Sequence, residues 1–117
     1  MPSAKLPNYI RTHRKRTHLT QKEMAFLFGS KTSAHICRHE RSEQTPNLQT
    51  SLAYEILFRT PVRNLFSGVH QDVERKLMYR IRVLIQKLAK SGQSRVKARK
   101  IEILNNFLRE RASLDQA

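Results

Sequence analysis

Between Gln21 and Arg41 this chain places polar, cationic and imidazole side chains around very few apolar ones. Arg38 has the most specific chemistry among them, because a guanidinium can meet guanine O6 and N7 with two parallel N–H donors. Its neighbours Ser33, Ala34, His35, Cys37 and Arg41 share a segment in which Ile36 is the single clear apolar anchor. A helix over about Ser33 to Arg41 therefore buries little and turns most of its surface to solvent or a ligand. A short helix of that kind fits the DNA major groove, with Arg38 the candidate for a base contact and a solvated helix face or a phosphate contact the alternatives. His13 and His39 lack the further ligands that a metal site needs, so no metal is expected. Cys37 is read as a small inert side chain near the groove rather than a redox switch. No carboxylate pair, Cys-His pair or phosphate loop stands out, so neither catalysis nor a cofactor is expected.

The elements that position these side chains follow from local signals. Thr20 and Glu23 have the capping-box spacing, so a helix begins near Gln21, with Gln21 and Lys22 polar at its positive end. Met24, Leu27 and Phe28 recur on one face of it, and Gly29 ends it with the left-handed backbone a helix exit favours. Lys31 lies in the turn that follows, where Ser30, Thr32 and Ser33 offer oxygens to cap the next helix. A first helix is expected over Asn8 to Thr17, after Pro7, with Leu6, Ile10, Arg14 and Thr17 along one side. Asn47 caps a fourth, whose Leu48, Leu52, Ala53, Ile56 and Leu57 are expected to form the centre of the core. Thr60-Pro61 opens a fifth with Val62, Leu65 and Phe66 inward, and Ser67-Gly68 closes that region.

Two longer helical patterns follow. From Gln71 to Lys90, Val73, Leu77, Ile81, Leu84 and Leu88 form a stripe that Met78 and Ile85 widen. Ser91-Gly92 is a stop, and Ser94 starts a helix to about Glu110 with Val96, Ile101, Leu104, Phe107 and Leu108 inward. One helical hairpin cannot hide two wide stripes, so this pair is expected to pack on the preceding domain or, preferably, on the hairpin of a second chain.

Charge points to the ligand. The chain has 23 Lys and Arg against nine Asp and Glu, a formal net charge of +14, which fits a polyanionic partner. Residues 1–41 hold nine basic and two acidic residues, 42–68 two of each, and 69–117 twelve basic and five acidic. The cluster Arg95, Lys97, Arg99 and Lys100 is either a second phosphate-binding patch or a solvated helix face. At 117 residues the chain has room for a small helical core but not for a cleft with lids. A single cysteine excludes an internal disulfide, and no stretch reaches the length of a membrane span or resembles a signal peptide. A cytoplasmic, nucleoid-associated protein is expected, with no membrane partner.

From Leu6 to Phe66 the chain resembles the lambda-repressor-like (Cro/C1-type, Xre) helix-turn-helix family. The resemblance rests on Ile10, Arg11 and Arg14; on Leu19, Thr20, Gln21, Glu23, Ala25 and Gly29; on Ile36, Arg38 and Glu40; and on Pro46, Leu48 and Ala53. Thr60-Pro61-Val62 with Leu65-Phe66 looks like the family's fifth helix. The helical patterns along the chain predict an all-α fold; the resemblance implies a five-helix DNA-binding domain over 6–68, and the two longer patterns predict a helical hairpin over 69–112. The resemblance also implies that Gln21 holds a phosphate, that Ser33, Ala34 and Arg38 face base edges, and that Arg14 and Glu40 form an ion pair. Lys22, Lys31, Thr32, His35 and Arg41 complete the expected contact set. Three departures are visible: the turn Gly29-Ser30-Lys31-Thr32 is one residue longer than usual, His13 and His39 stand where the family often has aliphatic residues, and Phe26 stands where it usually has an exposed polar residue.

The function expected is a sequence-specific transcriptional regulator, a repressor that binds a palindromic operator on double-stranded DNA as a homodimer. Two alternatives remain at this level: an antitoxin or adaptor whose hairpin binds a partner protein, and a basic protein that binds nucleic acid without sequence preference.

Overall fold

A computed structural model of the chain describes residues 6–115, and among these every regular element is a helix. The order is α1 (Ile10–Thr17), α2 (Gln21–Leu27), α3 (Ala34–Glu40), α4 (Leu48–Phe58), α5 (Val62–Leu65), α6 (Ser67–Lys90) and α7 (Arg95–Asp115). The chain divides into two compact units, Met1–Asp72 and Val73–Ala117.

In the first unit the helix ends carry local caps. Thr20 Oγ1 accepts from the Glu23 amide at 3.0 Å, and Glu23 Oε1 accepts from the Thr20 amide at 2.9 Å, so both halves of the capping box are made. Asn47 Oδ1 accepts from the Thr50 amide at 2.8 Å and starts α4. Glu55 reaches out of α4 to accept the Val62 amide at 2.8 Å, which satisfies the first turn of α5.

The core of this unit is Ile10, Met24, Ala25, Ile36, Tyr54, Leu65 and Phe66, ringed by Leu19, Phe28, Leu57, Phe58, Val62 and Val69. Tyr54 sits at its centre, edge-on to Phe28 (centroids 4.9 Å) and Phe66 (5.9 Å) and stacked on Phe58 (6.1 Å). This corrects the expectation for α4. Leu48, Leu52 and Ile56 are 74%, 43% and 75% exposed, and Tyr54 is fully buried. Apolar residues surround α4, so periodicity alone selects no face; the aromatic side wins because Tyr54 and Phe58, four residues apart, bring the larger area and ring contacts. Leu27 is likewise half-exposed, and α2 buries Met24 and Ala25 instead.

Ser67-Gly68 opens α6 rather than ending a region. Gly68 is buried against Pro7, whose carbonyl accepts the Gly68 amide at 3.1 Å; a Cβ there would lie 2.5 Å from Pro7 Cδ. The glycine serves close packing, not a helix exit.

In the second unit, residues 73–90 of α6 and helix α7 are joined through Ser91 to Ser94. Lys97 donates its amide to Ser94 Oγ at 3.1 Å, capping α7. Arg111 near the end of α7 pairs with Glu74 near the start of this stretch, so the two helices run antiparallel. Ile81 is buried, whereas Val73, Leu77, Leu84, Val96, Ile103 and Leu114 are each 45–64% exposed. Leu84 and Leu88 face Ile103 and Leu104 across an apolar groove of about 340 Å³. No helix among the described residues is long and apolar enough to cross a membrane.

Candidate nucleic-acid interface

Helices α2 and α3 are joined by a turn that is held at both ends. Gly29 takes φ 72°, its amide bonds Phe26 O at 3.1 Å, and Ser30 N bonds Ala25 O at 2.8 Å, so the last carbonyls of α2 are satisfied. Ser30 Oγ donates to Thr32 O at 2.9 Å, and Thr32 Oγ1 accepts the Ala34 amide at 3.2 Å. The four-residue turn is thus an ordered lead into α3, with Lys31 and Thr32 on its exposed side.

Helix α3 is anchored by two side chains on one face, Ile36 and His39, which are 2% and 4% exposed. His35, Arg38 and Arg41 are exposed on its other sides; Ser33, Ala34 and Cys37 are half-buried. Arg38 and Lys31 make no side-chain bond among the described residues, while Arg41 lies 3.9 Å from Glu43. Beside the helix a polar groove of about 410 Å³ runs from Ser30 and His35 to Gln44 and Thr50.

The orientation of α3 is set by a fork of charge-assisted bonds. Arg14 Nε donates to Glu40 Oε2 at 2.5 Å and its Nη2 to Oε1 at 3.1 Å, while Nη1 reaches the Leu19 carbonyl at 3.1 Å. Gln21 Nε2 adds a bond to Glu40 Oε1 at 3.1 Å. One carboxylate on α3 therefore ties together α1, the start of α2 and the linker between them. The bond to Glu40 holds the Arg14 guanidinium above its ordinary pKa, outweighing the opposing effect of burial. The amide of Gln21 is engaged in this network, whereas Lys22 is exposed beside it.

Three further residues fix α3 and were not singled out from the sequence. Asn8 donates through Nδ2 to the His39 carbonyl at 2.9 Å and to Ser42 Oγ at 2.8 Å, closing the end of α3. Ser42, in the left-handed region at φ 60°, donates to the Leu6 carbonyl at 2.5 Å. Tyr54 places its hydroxyl 2.9 Å from His39 Nδ1. Burial raises the Tyr54 phenol well above its usual range, with a smaller push from Glu40; burial lowers the His39 imidazole, with a smaller push from His35. Both are neutral near pH 7, and the His39 tautomer sets which of the two donates in this bond. Only the Asn8 position ahead of a helix carries a sequence signal; the partners lie 31 and 34 residues away.

His13 packs on Phe58 with ring centroids 5.5 Å apart. Among the described residues no group of three or more His, Cys, Asp or Glu side chains could hold a metal ion. Comparison with protein-family models, with curated proteins and with solved structures finds no match.

Proposed function

We propose that this chain is a sequence-specific DNA-binding transcriptional regulator of the lambda-repressor-like helix-turn-helix type, with α3 as its recognition helix. The observation that carries the reading is the division of α3 into two sides. Ile36, His39 and Glu40 are consumed in holding the helix, and His35, Arg38 and Arg41 remain exposed in a strongly basic chain. In this reading Arg38 contacts guanine in the major groove, and Ser33, Ala34 and His35 line the same approach. Lys22, Lys31, Thr32 and Arg41 meet flanking phosphates, and Gln21 adds a phosphate contact through the part of its amide not given to Glu40.

The second unit acts as a helical hairpin for assembly. Its exposed apolar residues include Val73, Leu77 and Leu84 on α6 and Val96 and Ile103 on α7, and of these Leu84 and Ile103 line the open groove between the helices. Burial of that face by a second copy forms a dimer with two recognition helices about 34 Å apart, matched to a palindromic operator. Repression by occupying a promoter in the nucleoid follows as the regulatory mode. We assign the chain no catalytic step.

The same open face also suits an adaptor or antitoxin that grips a partner protein. Selection of bound sequences from random DNA tests the principal reading. A recovered inverted repeat, bound about 10³-fold or more tighter than random duplex, is the expected result. Arg38→Ala should lose about 1–3 kcal/mol on that site and relax preference at one base pair of each half-site. Uniform binding to all sequences would overturn this function, and a monomer that copurifies with an unrelated chain would favour the adaptor.

A further inference from the structure

Between Glu74 and Glu102 the chain has ten Lys and Arg and no Asp or Glu over 27 residues. These residues run along α6, through the turn and into α7, so the turn end of the second unit concentrates Lys87, Lys90, Arg95, Lys97, Arg99 and Lys100. The carboxylates are used elsewhere: Glu74 pairs with Arg111 at the other end of the two helices, and Glu102 meets Arg99 at 3.2 Å. Lys97 turns its Nζ to the Gly92 carbonyl at 3.0 Å. Lys87, Lys90, Arg95 and Lys100 are exposed and make no side-chain bond among the described residues.

Such a density of like charge destabilises a fold by self-repulsion unless a counter-charge is supplied. A ligand of regularly spaced anions is the chemistry that relieves it. Duplex DNA offers one charge per about 1.7 Å of axis and rewards each neutralised phosphate with counterion release. The turn itself, Ser91-Gly92-Gln93-Ser94, has no bulky apolar side chain to enter a lipid interface, which favours nucleic acid over an anionic membrane.

We infer that the turn end of α6 and α7 is a second nucleic-acid contact, gripping the sugar-phosphate backbone without regard to sequence, through Lys87, Lys90, Arg95 and Lys100. The inference rests on the DNA-binding reading above for the identity of the polyanion, but its contact does not involve α3. It makes the second unit a clamp that lengthens the footprint as well as an assembly element: Lys87, Lys90 and Arg95 do not line the apolar groove of Leu84, Leu88, Ile103 and Leu104, and Lys100 stands at its edge.

The test uses the full chain, a random-sequence duplex of about three turns as probe, and the variant K87Q/K90Q/R95Q/K100Q, which keeps helix-favouring side chains. Affinity is measured over a range of salt concentrations. The slope of log K against log[salt] should fall by roughly 0.9 for each phosphate contact removed, about 2 or more in total, with at least about tenfold weaker binding at low salt. Arg38→Ala should leave most of the random-duplex slope intact. An unchanged slope in the fourfold variant overturns the inference, as does an unchanged slope accompanied by lost binding to phosphatidylglycerol vesicles, which would assign the patch to a membrane. Should the fourfold variant lose its helical signal, K87Q/K90Q and R95Q/K100Q separately should each give about half the slope change, and no change in either overturns it. A reduced slope in a chain that selects no sequence would sink the regulator reading and leave this contact standing.

Discussion

The Tyr54 hydroxyl and His39 Nδ1 lie 2.9 Å apart in the buried centre of the first unit, joining α4 to the inner face of α3. An imidazole that holds the exposed helix from below links the charge state of the core to the placement of Arg38.

That link gives stability a pH dependence. Burial, with His35 as a lesser contributor, lowers the His39 pKa from its ordinary 6.5. The unfolded chain therefore binds the proton more readily than the folded one. The His39 contribution to stability is complete above about pH 6.5, declines as pH falls below it, and levels off once pH is below the lowered folded value. Urea midpoints measured from pH 8 to 5 should drop on the acid side, and His39→Gln should flatten that component. An identical acid-side drop in the variant would refute the assignment to His39.

Glu40 accepts from Arg14 and Gln21 with its side chain only 4% exposed. Glu40→Ala leaves the Arg14 guanidinium without its carboxylate, and the loss should be about 3–5 kcal/mol. Arg14→Ala/Glu40→Ala together should cost less than the sum of the single changes, because neither then strands a charge. Equal melting temperatures for Glu40→Ala and the unaltered chain would remove the network from any account of how α3 is held.

Tyr54 and Ile56 stand two residues apart on α4 and differ completely in burial. Tyr54→Ala should cost about 3–5 kcal/mol through the cavity and the lost partner of His39. Ile56→Ala should stay within about 0.5 kcal/mol in thermal unfolding of the free chain. A reversal of that order would mean that α4 packs through its aliphatic side.

Gly68 and Gly92 make a second matched pair. An alanine Cβ at Gly68 would lie 2.5 Å from Pro7 Cδ and 2.8 Å from Pro7 N and O, whereas nothing lies within 4 Å of one at Gly92. Gly68→Ala should destabilise by about 1–3 kcal/mol as the Pro7 segment is pushed away. Gly92→Ala should be close to neutral, and chemical denaturation of the two variants separates them.

The parts of the fold that are readable in the sequence are those written in short-range chemistry. The all-helical class, the reciprocal cap between Thr20 and Glu23, the exit at Gly29, the Asn47 cap and the stop after Lys90 involve residues within a few positions of one another. The scarcity of apolar anchors on α3 is equally local, since composition and spacing alone show that only Ile36 is clearly apolar there. Net charge and its division along the chain require no structure at all.

Tertiary packing decided the remainder, because those choices are between local alternatives of similar quality. Leu48, Leu52 and Ile56 and the opposing Tyr54 and Phe58 are both acceptable apolar faces for α4, and only the ring contacts with Phe28 and Phe66 and the His39 partner select the second. Asn8, Ser42 and Gly68 act on partners 31 to 61 residues away, across separations that leave no periodic trace. The sequence by itself determined helices, caps and a basic surface, since these follow from backbone geometry and charge. Which side of α4 is buried, and how α3 is held from below and behind, was decided by close packing and by the need of each buried polar group for a partner.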